Sequence, residues 1–166
     1  MKYFGVDPGK KGGIAVISAR GKMLGLSPMP MVADENGKTQ YDVETIISNM
    51  SFWKPAIVCV ELMTGPPVGV NAIYARGHAR AFAWAAKALG MEVYEVPSRT
   101  WQKQMLPKAK MSSTKTRALI AARLRFPGQS WKATARCRIA HDGMVDAALI
   151  AEYSRLTHGY LHIGSK

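Results

Sequence analysis

Lys2–Ser27 reads KYFGVDPGKKGGIAVISARGKMLGLS, and the punctuation of this stretch decides the fold. Residues 2–7 and 12–19 read as strands, and a third strand-like run follows at 22–27. Between them stand DPGKKGG and ARGK, which carry the Asp, Pro and Gly chemistry of tight turns. Strands joined by such short turns pair as an antiparallel meander. The first two runs are the more apolar and are expected to be buried.

The remainder of the chain changes rhythm. SPMPMVADENGK (27–38) reads as an exposed loop, and YDVETIISNMSFW (41–53) as a helix with apolar residues near helical spacing. AIVCVE (56–61) is continuous in apolar residues until Glu61, the pattern of a central strand covered on both faces. A long Ala-rich helix spans about Asn71 to Leu89 and stops at Gly90 in the usual C-cap manner. MEVYEV (91–96) is a fifth strand and SRTWQKQM (98–105) a short helix. MSSTKTRALIAARLRF (111–126) is a helix opened by Ser or Thr caps and ended by Pro127. IAHDGMVDAALIAEY (139–153) supplies the last helix. Meander, helix, strand, helix, strand and helices together describe an α/β chain: a mixed five-stranded sheet with helices on both faces. The 166 residues suit one domain, and neither a repeat nor a linker divides them.

Composition narrows the function. Twenty-three Lys and Arg against eleven Asp and Glu give a formal charge of +12, concentrated from Arg99 to Arg138, so a polyanion and foremost a nucleic acid is the expected partner. No apolar run is long enough to span a bilayer, and MKYFGVD lacks the regions of a signal peptide, so the protein is expected to stay inside a cell. Cys59 and Cys137 have no zinc or disulfide spacing and read as idle thiols.

The acids are the informative minority. Asp7 ends the first strand ahead of Pro-Gly, where a turn role is ordinary. Glu61 ends an apolar strand, where a buried carboxylate requires either a basic partner or a metal. Asp142 stands where a helix N-cap is favoured, and Asp146 where an acid complements the helix dipole. In a sheet of this order the first and fourth strands can be neighbours, so Asp7 and Glu61 can meet, with the last helix presenting Asp142 and Asp146 to the same spot. Like charges about 4 Å apart repel by roughly 1–4 kcal/mol per pair, so such a cluster calls for a cation. Oxygen donors suit Mg²⁺, with Mn²⁺ as a substitute. On a basic protein, carboxylate-held metals point to phosphodiester hydrolysis.

GVDPGKKGGIAVI, Glu61 after its apolar strand, WQKQM, SSTKTRALIAARLRFP and HDGMVDAALIAEY, taken in order, resemble the RuvC family of Holliday junction resolvases in the RNase H-like superfamily, especially its compact phage-type members. The resemblance spans nearly the whole chain. It implies an RNase H-like fold and a Mg²⁺-dependent endonuclease that resolves four-way DNA junctions as a homodimer by paired nicks, in the cytoplasm of a bacterial or phage-infected cell. Asp7, Glu61 and Asp146 correspond to metal ligands of that family. The family's remaining acid or His stands three residues before the last Asp, where this chain has Gly143, leaving Asp142 or His141 as substitute. On an ideal helix Asp142 lies about 40° and His141 about 140° from Asp146, which favours Asp142. Lys115 resembles a lysine near the scissile phosphate. Lys103 resembles another basic residue of the family, with Gln102 the alternative occupant of the matching place, and Lys110, Arg117, Arg76 and Arg80 are further candidates for phosphate contact. The family's loop after the Glu61 strand carries an aromatic wedge; LMTGPPVGV has none, and Met63 is the apolar candidate. The small-residue helix around Arg76 to Ala88 suits a dimer interface.

Other readings differ in what they require. A nuclease of this fold acting on RNA-DNA hybrids or other branched DNA keeps the acids but not paired nicking. A catalytically silent nucleic-acid-binding module keeps the basicity, with no use for Asp7, Glu61 and Asp146 together. Sugar kinases and actin-like ATPases also open with a strand and a phosphate-gripping hairpin, but need two domains around a cleft.

Overall fold

The structure, a computed structural model, describes residues 1–62, 70–108 and 113–159, the side chains at 70–72, 74 and 75 excepted. Strands β1 (Lys2–Asp7), β2 (Gly13–Ser18) and β3 (Met23–Pro28) form the expected meander. β6 (Ala56–Leu62) and β7 (Glu92–Pro97) complete a five-stranded sheet of order β3-β2-β1-β6-β7. β1 and β6 are parallel neighbours, pairing Gly5 with Cys59 and Val6 with Val60. The sheet is thus mixed, antiparallel on one side of β1 and parallel on the other.

Strand alternation splits the apolar residues between two layers. Phe4, Val6, Ile14, Val16, Val58 and Val60 pack against α1 (Val43–Phe52) and α2 (Val70–Ala88). Tyr3, Ala15, Ile17, Ile57 and Cys59 pack on the other face against α3 (Ser98–Met105), α4 (Thr114–Arg125) and α5 (Asp142–His158). Helix α5 is buried almost throughout from Gly143 to Ser154 because the sheet covers one side of it and α3 and α4 the other. An Ala, Leu, Ile and Val sequence with no polar face suits that sandwiched position.

One expectation is corrected. The segment read as an exposed loop supplies a strand, β4 (Met31–Ala33), that pairs with β5 (Thr39–Tyr41) as a hairpin; Tyr41, read as the start of the helix, ends β5, and Asp42 is the N-cap of α1. Its turn is built by Asp34, whose Oδ1 accepts from the Asn36 and Lys38 amides, and by Gly37 at φ 74°. Strands of three residues are too short to show alternation, so the sequence pattern concealed them. Gly90, at φ 74°, ends α2 as expected of a left-handed C-cap.

Candidate active site

The same alternation that sorts the core delivers two carboxylates to one end of the sheet. Tyr3, Gly5 and Asp7 share the α5 face of β1, and Ile57, Cys59 and Glu61 share that face of β6. Because the strands are parallel and paired at Gly5–Cys59, Asp7 and Glu61 fall side by side where the strands run out. Both are only half-buried, at the mouth of the core.

Helix α5 reaches the same end through glycine contacts. A Cβ on Gly5 would lie 2.2 Å from Ala147 O and 2.4 Å from Ala151 N, so the helix rests on bare backbone. At its N-terminus a Cβ on Gly143 would lie 2.4 Å from Gly12 Cα and from Lys11 O, and one on Gly13 would lie 2.6 Å from Gly143 O. The β1–β2 turn and the first turn of α5 thus meet backbone to backbone. This accounts for glycine at 143: no acid or His fits where Gly12 and Lys11 already stand.

The N-cap of α5 is His141, not Asp142. Its Nδ1 accepts from Met144 N at 3.3 Å, while Asp142 is the first helical residue. The cap role that would have occupied the Asp142 carboxylate is therefore filled by its neighbour. Asp142 is exposed and pairs with Lys115 Nζ at 2.5 Å, joining α5 to the N-terminus of α4. That α4 terminus is fixed in turn by Ser113, whose hydroxyl accepts from Thr116 N.

The acids repel one another. Burial, then the charge of Glu61, pushes Asp7 up to about 7, against a weak hydrogen bond from Gly9 N at 3.4 Å. Burial followed by Asp7, Glu61 and Asp142 pushes Asp146 up to about 8, with Lys115 opposing. Glu61 is also raised by burial, and Ser98 and Trp101 pull it back. The Trp101 indole N–H is fully buried and, among the described residues, lacks a hydrogen bond of good geometry, so its influence on Glu61 is through approach rather than a formed bond. Asp7, Glu61, Asp142, Asp146 and Lys115 thus form a single electrostatic cluster contributed by β1, β6, α5 and α4.

Residues that sequence reasoning did not single out support this cluster. Tyr41, at the end of β5, donates from its hydroxyl to Pro8 O at 2.8 Å, and Lys10 Nζ donates to Thr39 O at 2.8 Å. The β4–β5 hairpin therefore holds the turn that follows Asp7. Burial and then the Asp7 charge push the Tyr41 hydroxyl up to about 12. Tyr41 reads in the sequence as the first residue of a helix, which gave no signal of this.

The basic candidates disperse. Lys115 joins the cluster, whereas Lys103 is exposed on α3. Arg117 donates to Pro107 O at 3.5 Å and to Thr114 Oγ1 at 3.4 Å, bracing the start of α4. Arg80 pairs with Glu95 of β7 at 3.5 Å, and Arg76 is half-buried one turn before it on α2. Met63 and Lys110 lie outside the described residues. Cys59 is buried and Cys137 half-buried, both as free thiols.

The donor set is all oxygen and under-compensated in positive charge, which fits a hard divalent cation at Asp7, Glu61 and Asp146. Among the described residues no three His, Cys, Asp or Glu side chains form a ready-made ion cage; the acids are coupled without closing on one point.

No protein-family model and no curated protein matches the chain. Solved structures do. T. thermophilus RuvC in complex with a Holliday junction substrate is similar over 99% of this chain and 97% of that chain, with TM-score 0.58 at 20% identity. A second Thermus thermophilus RuvC structure is similar over 99% and 97%, with TM-score 0.57 at 21% identity. The chain therefore has the RNase H-like fold of RuvC, the architecture that its motif order implied.

Proposed function

We propose that the protein is a divalent-metal-dependent DNA endonuclease acting on branched DNA, and more narrowly a homodimeric Holliday junction resolvase whose residues 1–166 form a single nuclease domain. The observation that carries this reading is the convergence of Asp7, Glu61 and Asp146 at one end of a RuvC-type sheet, where Glu61 adds to burial in raising Asp7, and Asp7 and Glu61 do so in raising Asp146. Half-buried acids that repel one another are poorly suited to a passive scaffold and well suited to a cation.

Asp7, Glu61, Asp146 and the more exposed Asp142 would hold Mg²⁺ or Mn²⁺, which supplies Lewis-acid stabilisation and a water nucleophile for in-line phosphodiester hydrolysis. Lys115 then neutralises charge on the phosphate, exchanging its bond to Asp142 for one to substrate. His141 holds the helix end through Met144 N, and Tyr41 holds the turn beyond Asp7. Lys103, Lys110, Arg117, Arg76, Arg80 and Met63 are the further DNA contacts of this reading.

Dimerisation is supported by the outer face of α2. Ile73 and Trp84 stand 59% and 65% exposed there, flanking Gly77, whose vacant Cβ position meets nothing within 4 Å. Exposed apolar residues around a small one suit a second helix. The expected setting is the cytoplasm of a bacterial or phage-infected cell; among the described residues no helix is long and apolar enough to cross a membrane.

The test is cleavage of a labelled four-way junction and of a linear duplex in Mg²⁺, comparing wild type with Asp7→Asn. Paired nicks in the junction, absent from Asp7→Asn and from EDTA controls, are expected. Equal cleavage of the linear duplex defeats the resolvase reading and leaves a general nuclease. Binding without any cleavage defeats both and leaves a binding module.

A further inference from the structure

The loop between α4 and α5 is built, and apart from His141 at its end the carboxylate site does not use it. Residues 131–141, WKATARCRIAH, contain no helix or strand, yet their ends meet: His141 N donates to Trp131 O at 2.7 Å. Trp131 is buried and packs on Phe126 with ring centroids 6.2 Å apart, anchoring one end, while Ala140 packs against the core at the other. In the middle, Cys137 N donates to Thr134 O at 3.1 Å and the Thr134 hydroxyl meets Cys137 Sγ at 3.3 Å. Closed ends and internal bonds make this a compact Ω-loop rather than a slack connection.

Its rim is of one character. Lys132, Arg136 and Arg138 are all exposed, and no acid occurs from 131 to 141. Beside them Ile139 is 80% exposed, an apolar side chain turned to solvent although the loop closes over other residues. Position also counts. The neck residue His141 is the cap of α5, and Ile139 is three residues from Asp142, a backbone reach of at most about 11 Å. A rigid loop thus displays three cations and one apolar tip next to the carboxylate cluster.

Resting on the nuclease reading above, we propose that this loop is a DNA-contacting arm: Lys132, Arg136 and Arg138 hold phosphates of the duplex flanking the cut, and Ile139 packs against bases exposed at the branch point. Charge complementarity selects the partner, since a basic rim free of acids attracts the phosphate backbone. The apolar tip selects the structure, since an aliphatic side chain gains most where bases are unstacked.

The experiment uses the full chain carrying Asp146→Asn, titrated with a fluorescein-labelled four-way junction and a linear duplex in a salt series. Arg136→Ala with Arg138→Ala is expected to weaken binding of both DNAs at least tenfold. The same pair is expected to flatten the log–log salt slope by about 2, since each phosphate left without its cation removes about 0.9. Ile139→Ala is expected to lower the junction-to-duplex affinity ratio several-fold with an unchanged salt slope, and Ile139→Leu to restore it. Thermal melting of each variant distinguishes weaker DNA binding from an unfolded chain, and Lys132→Ala gives a second, single-charge variant that leaves the Thr134–Cys137 turn untouched. Unchanged affinity and slope in the arginine and lysine variants overturn the arm. An unchanged ratio in Ile139→Ala overturns the apolar contact alone. A parent protein that binds neither DNA overturns the nuclease reading as well.

Discussion

The two faces of the sheet are covered in opposite ways. On the α5 face the helix lies on glycine, with Gly5, Gly13 and Gly143 leaving no room for a single Cβ. On the other face α1 and α2 leave an apolar groove lined by Val43, Ile46, Ile47, Phe82 and Ala85, and α2 turns Ile73 and Trp84 outward. The first face, packed without slack, gathers four acids and a lysine drawn from four elements. Among the described residues the second carries no such cluster, and its unfilled apolar surface suits a partner.

Substitutions that confuse the two faces have the largest expected effect. Gly5→Ala drives a Cβ into the Ala147 carbonyl and the Ala151 amide, neither of which is a flexible side-chain tip. It is expected to cost about 3 kcal/mol or more in urea unfolding and to abolish cleavage, because overpacking of backbone on backbone displaces α5 with Asp146 on it. Wild-type stability in this variant would show that the helix is not seated as described.

The strain on the α5 face also has a pH signature. Asp7 and Asp146 are raised from 3.8 to about 7 and about 8, so the native state keeps protons that the unfolded chain has released. Their protonated forms stabilise the fold at acid pH, and that contribution is lost as pH rises from about 4 through about 8. In EDTA the melting temperature is expected to fall by about 5 °C or more between pH 5 and pH 8.5. Asp146→Asn is expected to flatten the fall, and Mg²⁺ to reverse it. A flat profile in EDTA for wild type would contradict the repulsion.

Smaller effects belong to the supports. Tyr41→Phe removes the hydroxyl bond to Pro8 O but keeps the ring against His78, 4.4 Å away. A stability loss of about 1 kcal/mol is expected, together with a higher Mg²⁺ concentration for half-maximal thermal stabilisation, since the turn after Asp7 is loosened. On the opposite face, Gly77→Ala meets nothing within 4 Å. It is expected to stabilise the isolated chain by about 0.8 kcal/mol through helix propensity, while sedimentation shows whether the added methyl weakens a dimer. A glycine swap that destabilises one face and stabilises the other expresses the contrast in two measurements.

Much of this was legible because it is local. Strand-like runs and the turn chemistry between them placed β1, β2 and β3 to within a residue of 2–7, 12–19 and 22–27, and continuous apolarity identified β6 as central. Strand ends then put Asp7 and Glu61 where they are found. The β4–β5 hairpin was missed because three-residue strands have no period. Asp142 was ambiguous for a different reason: cap preference ranks residue types, and a His that caps through Nδ1 defies the ranking.

Sequence by itself determined the mixed sheet, the two helical layers and the end of the sheet at which acid accumulates, since each follows from the period of apolar residues and the turns between them. Only the tertiary structure decided which acids act on one another. Strand register brought Asp7 beside Glu61, backbone contact at Gly12 excluded a side chain from position 143, and the approach of α4 gave Asp142 to Lys115. Electrostatic coupling depends on distances of a few ångström between residues remote in sequence, and no local pattern encodes those distances.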